Sequence, residues 1–87
     1  MNFPNPFNPR TIIPITVIKK ESFSINIYDS NGRLVNEIFN GTLNPGNFSY
    51  SWNGKNNNNI ICAAGIYFCR IVKNNKIIHT KKMILLK

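Results

Sequence analysis

Apolar and polar side chains alternate along most of the chain with a period of two residues, which is the pattern of half-buried β-strands. The clearest example is SFSINIYD, residues 22–29. There Phe23, Ile25 and Ile27 fall on one face, and mostly polar side chains fall on the other. No stretch keeps the 3.6-residue period of a helix over three turns. The sequence therefore predicts an all-β protein.

The first predicted strand is TIIPITVI, residues 11–18, with Ile13, Ile15 and Val17 on one face and Pro14 on the other. Proline has no N–H to give to a neighbouring strand, so its presence predicts a strand at the edge of a sheet. The preceding stretch, NFPNPFNP, contains three Xaa-Pro steps, which favour extended backbone. We therefore divide the chain into an extended lead-in at residues 1–10 and a domain at residues 11–87.

Turn signals recur at short spacing between the predicted strands. The dipeptide Asn31-Gly32 predicts a hairpin turn with positive φ. The KNNK run at residues 73–76 predicts a second tight hairpin. In NPGN, residues 44–47, Pro45 and Gly46 stand at the positions that a type II turn prefers for these residues. Such spacing is typical of antiparallel sheets.

The remaining strands complete a predicted sandwich. The run LVNEIF, residues 34–39, contains two adjacent apolar pairs and predicts a β-bulge. Strands are also expected at residues 48–52, at residues 65–72 and from residue 76 to about residue 86. If the short apolar piece IICAAG, residues 60–65, is counted as a strand, the total is about seven. The predicted fold is an immunoglobulin-like antiparallel β-sandwich.

Charge is the next feature that bears on function. Eleven basic and three acidic residues give a formal net charge of +8. A basic balance is compatible with nucleic acid or with an anionic surface as a partner. The basic residues are scattered and form no dense block, so we favour a solvated surface and expect no nucleic-acid partner.

No set of side chains predicts catalysis. Glu21, Asp29 and Glu37 are spread along the chain, and His79 is far from them. General acid–base chemistry needs two groups with convergent geometry. No motif surrounds a Ser/His/Asp set either. We therefore expect no enzyme, no small-molecule substrate and no cofactor.

Metal binding and a disulfide are both disfavoured. Cys62 and Cys69 are the two cysteines, and with a single histidine in the chain we expect no zinc site. A disulfide between them would require the intervening segment to fold back. We expect none, and we expect Cys69 to be a small core residue. The loop at residues 53–59 contains no carboxylate, so a polar turn is favoured over a calcium site.

Aromatic residues recur at every second position at Phe48, Tyr50 and Trp52. An exposed stripe of this kind would serve as a stacking platform for sugars or bases. The inward face of a sandwich strand has the same pattern, and we favour that interpretation. Tyr67 is expected to pack in the core with its hydroxyl bonded to the backbone, as at a tyrosine corner.

Five segments in order resemble the C-terminal sorting domain of the type IX (Por) secretion system. They are NFPNPFNP, IYDSNGRLV, NPGNFSYSWNGKN, AAGIYFCRI and KKMILLK. The matching family-motif residues are Asn5, Pro6, Phe7, Asn8, Pro9, Gly32, Arg33, Val35, Trp52, Gly54, Gly65 and Tyr67. The residues that match the terminal sorting signal are Lys82, Met83, Leu85, Leu86 and Lys87.

The resemblance implies an immunoglobulin-like domain attached to a larger exported precursor, with residues 1–10 as the junction to a cargo domain. It implies recognition by the outer-membrane translocon, after export to the periplasm, and by a sortase-like peptidase. It also implies cleavage or exchange for a surface anchor, and a secreted or cell-surface location. We expect a monomer. The family's W-D-G-K-D is W-N-G-K-N here, at residues 52–56, so that loop has lost its acidic charge.

The alternative function is a structural or adhesive module similar to the immunoglobulin-like domain of flagellar hook-capping proteins. That domain shares the GRLV, W-D-G and G-x-Y features. It lacks the N-P-F-N-P lead and the terminal K-M-x-L-x-K pattern. Both of these features favour sorting in this chain.

Overall fold

Six antiparallel β-strands build the domain in the computed structural model, which describes residues 11–86. The strands are β1 (Thr11–Val17), β2 (Glu21–Asp29), β3 (Leu34–Leu43), β4 (Gly46–Trp52), β5 (Gly65–Lys73) and β6 (Lys76–Leu85). β1 pairs with β4 in a two-stranded sheet, and the second sheet has the order β3-β2-β5-β6. The predicted immunoglobulin-like sandwich is therefore confirmed. The position of β1 at a sheet edge, predicted from Pro14, is also confirmed.

The expected seventh strand, residues 60–65, does not form. A single bridge between Lys55 and Ile61 is the only ladder contact that this piece makes among the described residues. Ile60 and Ile61 are 60% and 65% exposed. The backbone here is instead held by turn hydrogen bonds, such as Asn56 N–H to the Ile60 carbonyl at 2.9 Å. An apolar run without alternation predicts a strand poorly, because it does not define which face is buried.

The core lies between the two sheets and follows the period-two pattern. Its buried members are Ile13, Ile15, Val17, Phe23, Ile25, Ile27, Leu43, Trp52, Tyr67, Cys69, Ile71, Met83 and Leu85. Among the described residues the buried set contains no charged side chain. Cys69 is 1% exposed, and Cys62 and Cys69 are not joined by a disulfide. The inward faces predicted for the first two strands are confirmed.

Two bulges interrupt the pairing of β3 with β2. Ile25 opposes Phe39 and Asn26 opposes Glu37, so one residue of β3 is extra at that point. A second irregularity follows between Ile27 and Tyr28. The predicted bulge is confirmed. It allows adjacent apolar residues of β3 to pack against the core, where strict alternation would turn one of them outward.

The turns match the sequence in two of three places. Gly32 has φ +83°, and Asn74 and Asn75 have φ +49° and +66°, which are the backbone angles of tight hairpins. The NPGN segment differs, because β3 and β4 belong to different sheets and the segment carries the chain from one to the other. Gly46 has φ +155°, far from the value of about +80° at the third position of a type II turn. The type II prediction was wrong.

Candidate functional site

Three separate segments bring the central family-motif residues together at one end of the sandwich. They are the β2–β3 turn, the loop after β4 and the start of β5. An open depression of about 460 Å³ lies among them, lined in part by Asp29, Arg33, Val35, Asn57 and Tyr67. We call this end of the domain the motif end. Residues that are distant in sequence therefore share one structural unit.

Asp29 organises the β2–β3 turn. Its Oδ1 accepts hydrogen bonds from the backbone N–H groups of Asn31 at 2.9 Å and Arg33 at 3.0 Å. Its Oδ2 lies 3.3 Å from Nε of Arg33. The pKa of Asp29 is held below its usual value, chiefly by the hydrogen bond from the Arg33 backbone. The Arg33 guanidinium is exposed and forms an ion pair with Asp29 across the turn.

Trp52 fixes the loop that follows β4. Its side chain is 2% exposed, and its indole Nε1–H donates to the carbonyl of Lys55 at 2.8 Å. Asn53 Oδ1 accepts from the Lys55 N–H at 3.2 Å. Gly54 is buried with φ +81°, a backbone angle that favours glycine. Asn53 thus closes this turn with an uncharged acceptor oxygen.

Tyr67 joins β5 to the same end. Its hydroxyl donates to the carbonyl of Ala63 at 2.6 Å, and its ring centroid lies 5.1 Å from that of Trp52. Burial raises the pKa of Tyr67, and the negative charges that Cys62 and Asp29 carry in their ionised forms raise it further. The predicted core tyrosine with a hydroxyl-to-backbone bond is confirmed.

The asparagine-rich loop uses its side-chain oxygens for its own folding. Asn56 Oδ1 accepts from the N–H groups of Asn58 at 2.9 Å and Ile60 at 3.0 Å. Asn57 Oδ1 accepts from the Glu37 N–H of β3 at 2.9 Å. Within residues 11–86 no group of three or more His, Cys, Asp or Glu side chains is placed to hold a metal ion. This arrangement favours the polar-turn interpretation of the loop.

The aromatic residues of β4 do not form an open platform. Trp52 is buried, and Phe48 and Tyr50 are half-buried against the core. Tyr50 also packs on Phe39 of β3, with ring centroids 5.2 Å apart. The stripe therefore faces the interior, as favoured from the sequence.

The terminal signal residues divide between two faces of β6. Met83 and Leu85 are 6% and 4% exposed and belong to the core. Lys82 and Leu86 are exposed on the other face. Lys87, like the lead residues Asn5–Pro9, lies outside the described residues. The described residues of this segment thus include two buried side chains and two accessible ones.

Comparison with known proteins identifies the domain family. The model of the FlgD Ig-like domain matches residues 17–76, which is more than half of the chain. The chain belongs to the FlgD Ig-like domain family. No curated protein sequence matches it.

Two solved structures extend this family assignment. One is dimeric latent PorU from Porphyromonas gingivalis, with 25% identity and a TM-score of 0.71, covering 94% of this chain and 8% of that one. The other is FlgD from P. aeruginosa, with 21% identity and a TM-score of 0.58, covering 87% of this chain and 61% of that one. These relationships confirm the family resemblance expected from the sequence. The chain spans a small part of PorU and under two thirds of FlgD.

Two features of this FlgD-type domain were missed from sequence. Asp29 lies in the IYDSNGRLV segment, but its role as the hydrogen-bond acceptor that closes the turn was not predicted. An aspartate two residues before Asn31-Gly32 is the signal that indicates such a turn. The split of the terminal segment between core and surface was also missed, because residues 83–86 form an unbroken apolar run that does not define which face is buried. Among the described residues there is no helix long and apolar enough to cross a membrane.

Proposed function

We propose that this FlgD-type domain is a sorting module that directs a larger exported protein across the outer membrane through the type IX secretion system. The observation that carries the proposal is the placement of the signal residues on β6. Met83 and Leu85 fix the strand in the core, Lys82 is exposed on a strand that pairs only with β5, and the exposed Leu86 directly follows that strand. A strand that is packed in the core on one face and accessible to solvent on the other is suited to recognition by another protein.

The family comparisons support the same proposal. The FlgD Ig-like match covers residues 17–76, which contain β2 to β5, and it ends where β6 begins. The similarity to latent PorU covers 94% of the chain. The motif end contains no arrangement with evident chemistry of its own, because its polar groups are used in turns. We infer a non-catalytic role, with the translocon and a sortase-like peptidase as partners.

In this proposal the domain belongs to a precursor that reaches the periplasm and then the cell surface or the medium. There it is cleaved or exchanged for a surface anchor. Residues 1–10 link it to the cargo domain, and the motif residues Asn5, Pro6, Phe7, Asn8 and Pro9 belong to this link. The domain acts as a monomer.

A structural or adhesive module is the second candidate. The family match itself favours it, since it rests on the shared sandwich of FlgD-type domains. This candidate predicts that the motif end and the core matter, and that the exposed side chains of β6 do not.

The test is export of a fluorescent reporter carrying residues 1–87 behind a signal peptide, in a host with type IX secretion. Removal of residues 82–87 would also delete two core side chains, so substitutions on the exposed face are the sharper probe. The double variant Lys82→Glu/Leu86→Ser changes that face alone. A matched control is Ile18→Ser, at an 88% exposed position on the β1–β2 turn.

We expect the double variant to leave a folded fusion in the periplasm, while the control is exported like the parent. Tryptophan fluorescence of the purified domains checks folding, because Trp52 is buried in the native state. Normal export of the double variant would refute the sorting proposal and leave the structural module as the better explanation.

A further inference from the structure

The inward face of β6 changes character halfway along the strand. Met83 and Leu85 are buried, but Lys81 and His79, which precede them on the same face, are exposed. Residues two apart on a strand point to the same side, so all four belong to one row. A cation and an imidazole therefore stand where a complete sandwich would place core side chains.

The register with β5 establishes this orientation. Lys81 lies opposite Cys69, and His79 lies opposite Ile71. Both partners on β5 are buried, at 1% and 7% exposure. Directly opposed residues in antiparallel strands share a face. The inward direction of Lys81 and His79 thus follows from the pairing and not from their own exposure.

The second sheet leaves this part of the domain uncovered because it contains only two strands. An opening of about 360 Å³ lies between β1 and β6, lined by Ile13, Pro14, Ile71, His79 and Lys81 among others. A neighbouring opening of about 390 Å³ shares Pro14, Ile71 and His79. Together they form one slot along the side of the sandwich. The first half of β6 borders that slot.

The free edges of the two sheets differ in their ability to accept another strand. β1 contains Pro14, which lacks a backbone donor. β3 has two bulges, and the loop residue Asn57 covers its edge by bonding to Val35 and Glu37. β4 is seven residues long and carries no charged side chain. β6 is ten residues long, contains no proline, and pairs regularly from His79 onward.

The charge on β6 is uncompensated. The strand carries Lys76, Lys81 and Lys82 and has no carboxylate. Within residues 11–86 the ion pairs are Arg33–Asp29 and Lys73–Glu21, so none of these three lysines is in one. Lysines on an exposed edge oppose self-association, because a second copy would bring like charges together. An acidic strand would experience attraction at the same positions.

We propose that residues 79–82 of β6 bind an extended acidic segment of a partner protein by strand addition to the free edge. Carboxylates of that segment lie opposite His79 and Lys81 on the inward face. Backbone hydrogen bonds provide the pairing, and the cations select the sequence. This inference rests on the proposed sorting function and names the kind of partner that the function requires.

The first test uses the whole 87-residue chain and a fluorescein-labelled peptide of alternating glutamate and valine. Fluorescence anisotropy measures binding, and a peptide of alternating lysine and valine is the matched control. We expect the acidic peptide to bind and the basic one not to bind. Lys81→Glu should weaken binding about tenfold, because it replaces an attractive cross-strand pair with a repulsive one. Lys55→Glu, beside the opposite sheet edge, should leave affinity within about twofold.

The second test separates strand addition from simple charge attraction. Two further acidic peptides carry N-methyl groups on alternate backbone nitrogens, one on the odd residues and one on the even residues. Alternate residues of a strand direct their N–H groups to opposite sides. Only one of the two peptides should lose binding. Equal binding of both, or equal binding of acidic and basic peptides, would overturn the proposal.

The two proposals fail in different ways. If the acidic peptide binds as expected but the Lys82→Glu/Leu86→Ser fusion is exported normally, the sorting function is wrong and the binding edge remains. If export requires Lys82 and Leu86 while Lys81→Glu changes neither peptide binding nor export, the strand-addition inference is wrong and sorting remains.

Discussion

The hydroxyl of Tyr67 offers the most direct test of how the motif end is held together. It donates to the Ala63 carbonyl at 2.6 Å, while the ring packs on Trp52. The substitution Tyr67→Phe removes the hydroxyl and preserves the ring. The change in the free energy of unfolding therefore reports the hydrogen bond, with little contribution from packing.

The expected magnitude follows from the surroundings of the two groups. A net hydrogen bond contributes about 0.5–1.5 kcal/mol, and a buried acceptor left without a partner costs a further 1–3 kcal/mol. Tyr67 is buried, but Ala63 is exposed, so water can replace the lost donor at its carbonyl. We therefore expect a loss of about 1 kcal/mol. For a domain of this size that lowers Tm by roughly 4–8 °C.

Thermal and urea unfolding, followed by the fluorescence of Trp52, measure this effect. Tyr50→Phe is the matched control, since Tyr50 is half-buried against the core and its contact is between rings. That control should change the free energy of unfolding by less than about 0.5 kcal/mol. Equal effects of the two substitutions, or no effect of Tyr67→Phe, would refute the assignment of a structural tyrosine-corner bond at this site.

Three further predictions concern β6 and the motif end. Leu85→Ala should lower the free energy of unfolding by about 2–5 kcal/mol, because the Leu85 side chain is 4% exposed. Ile84→Ala, at a position that is 65% exposed, should lower it by under about 0.5 kcal/mol. Urea unfolding measures both losses, and equal losses would contradict the alternation of β6. The pKa of Tyr67 is raised above its usual value, so its contribution to stability is complete below pH 10.0 and is lost as pH rises through the folded pKa. In thermal unfolding above pH 10.0, the parent should therefore lose more stability than Tyr67→Phe. The pKa of Asp29 is lowered, so the stability that its carboxylate contributes is present above pH 3.8 and is lost as pH falls through the folded pKa. The difference in stability between the parent and Asp29→Asn should therefore narrow in that acidic range. A constant difference would count against the carboxylate as the acceptor of the turn.

The sandwich could be predicted from sequence where one face of a strand is buried and the other is not. In β2 the buried residues Phe23, Ile25 and Ile27 alternate with polar ones, so the pattern fixes both the strand and its inward face. The piece at residues 60–65 failed because its apolar residues are adjacent. Burial of these residues depends on which other parts of the domain pack against the loop. Those tertiary contacts cannot be read from the local sequence pattern.

The motif end could be predicted in part for a similar reason. The bond from Tyr67 to backbone was expected because a buried phenol needs a partner, and a nearby carbonyl is the usual one. The convergence of Asp29, Trp52 and Tyr67 was not predictable from spacing. It depends on the order of strands in the sheets and on the loop that carries Asn57 back to β3.

The motif end and the edge of β6 differ in how far the fold uses their polar groups. At the motif end, the polar atoms of Asp29, Asn53, Asn56 and Tyr67 are used in hydrogen bonds within the domain. Such a region preserves the fold and has little left to offer a partner. The edge of β6 is the opposite case, because its lysines have no ion pair in the described residues and its outer backbone has no neighbouring strand. Groups that the fold leaves unsatisfied are the ones through which another protein can recognise it.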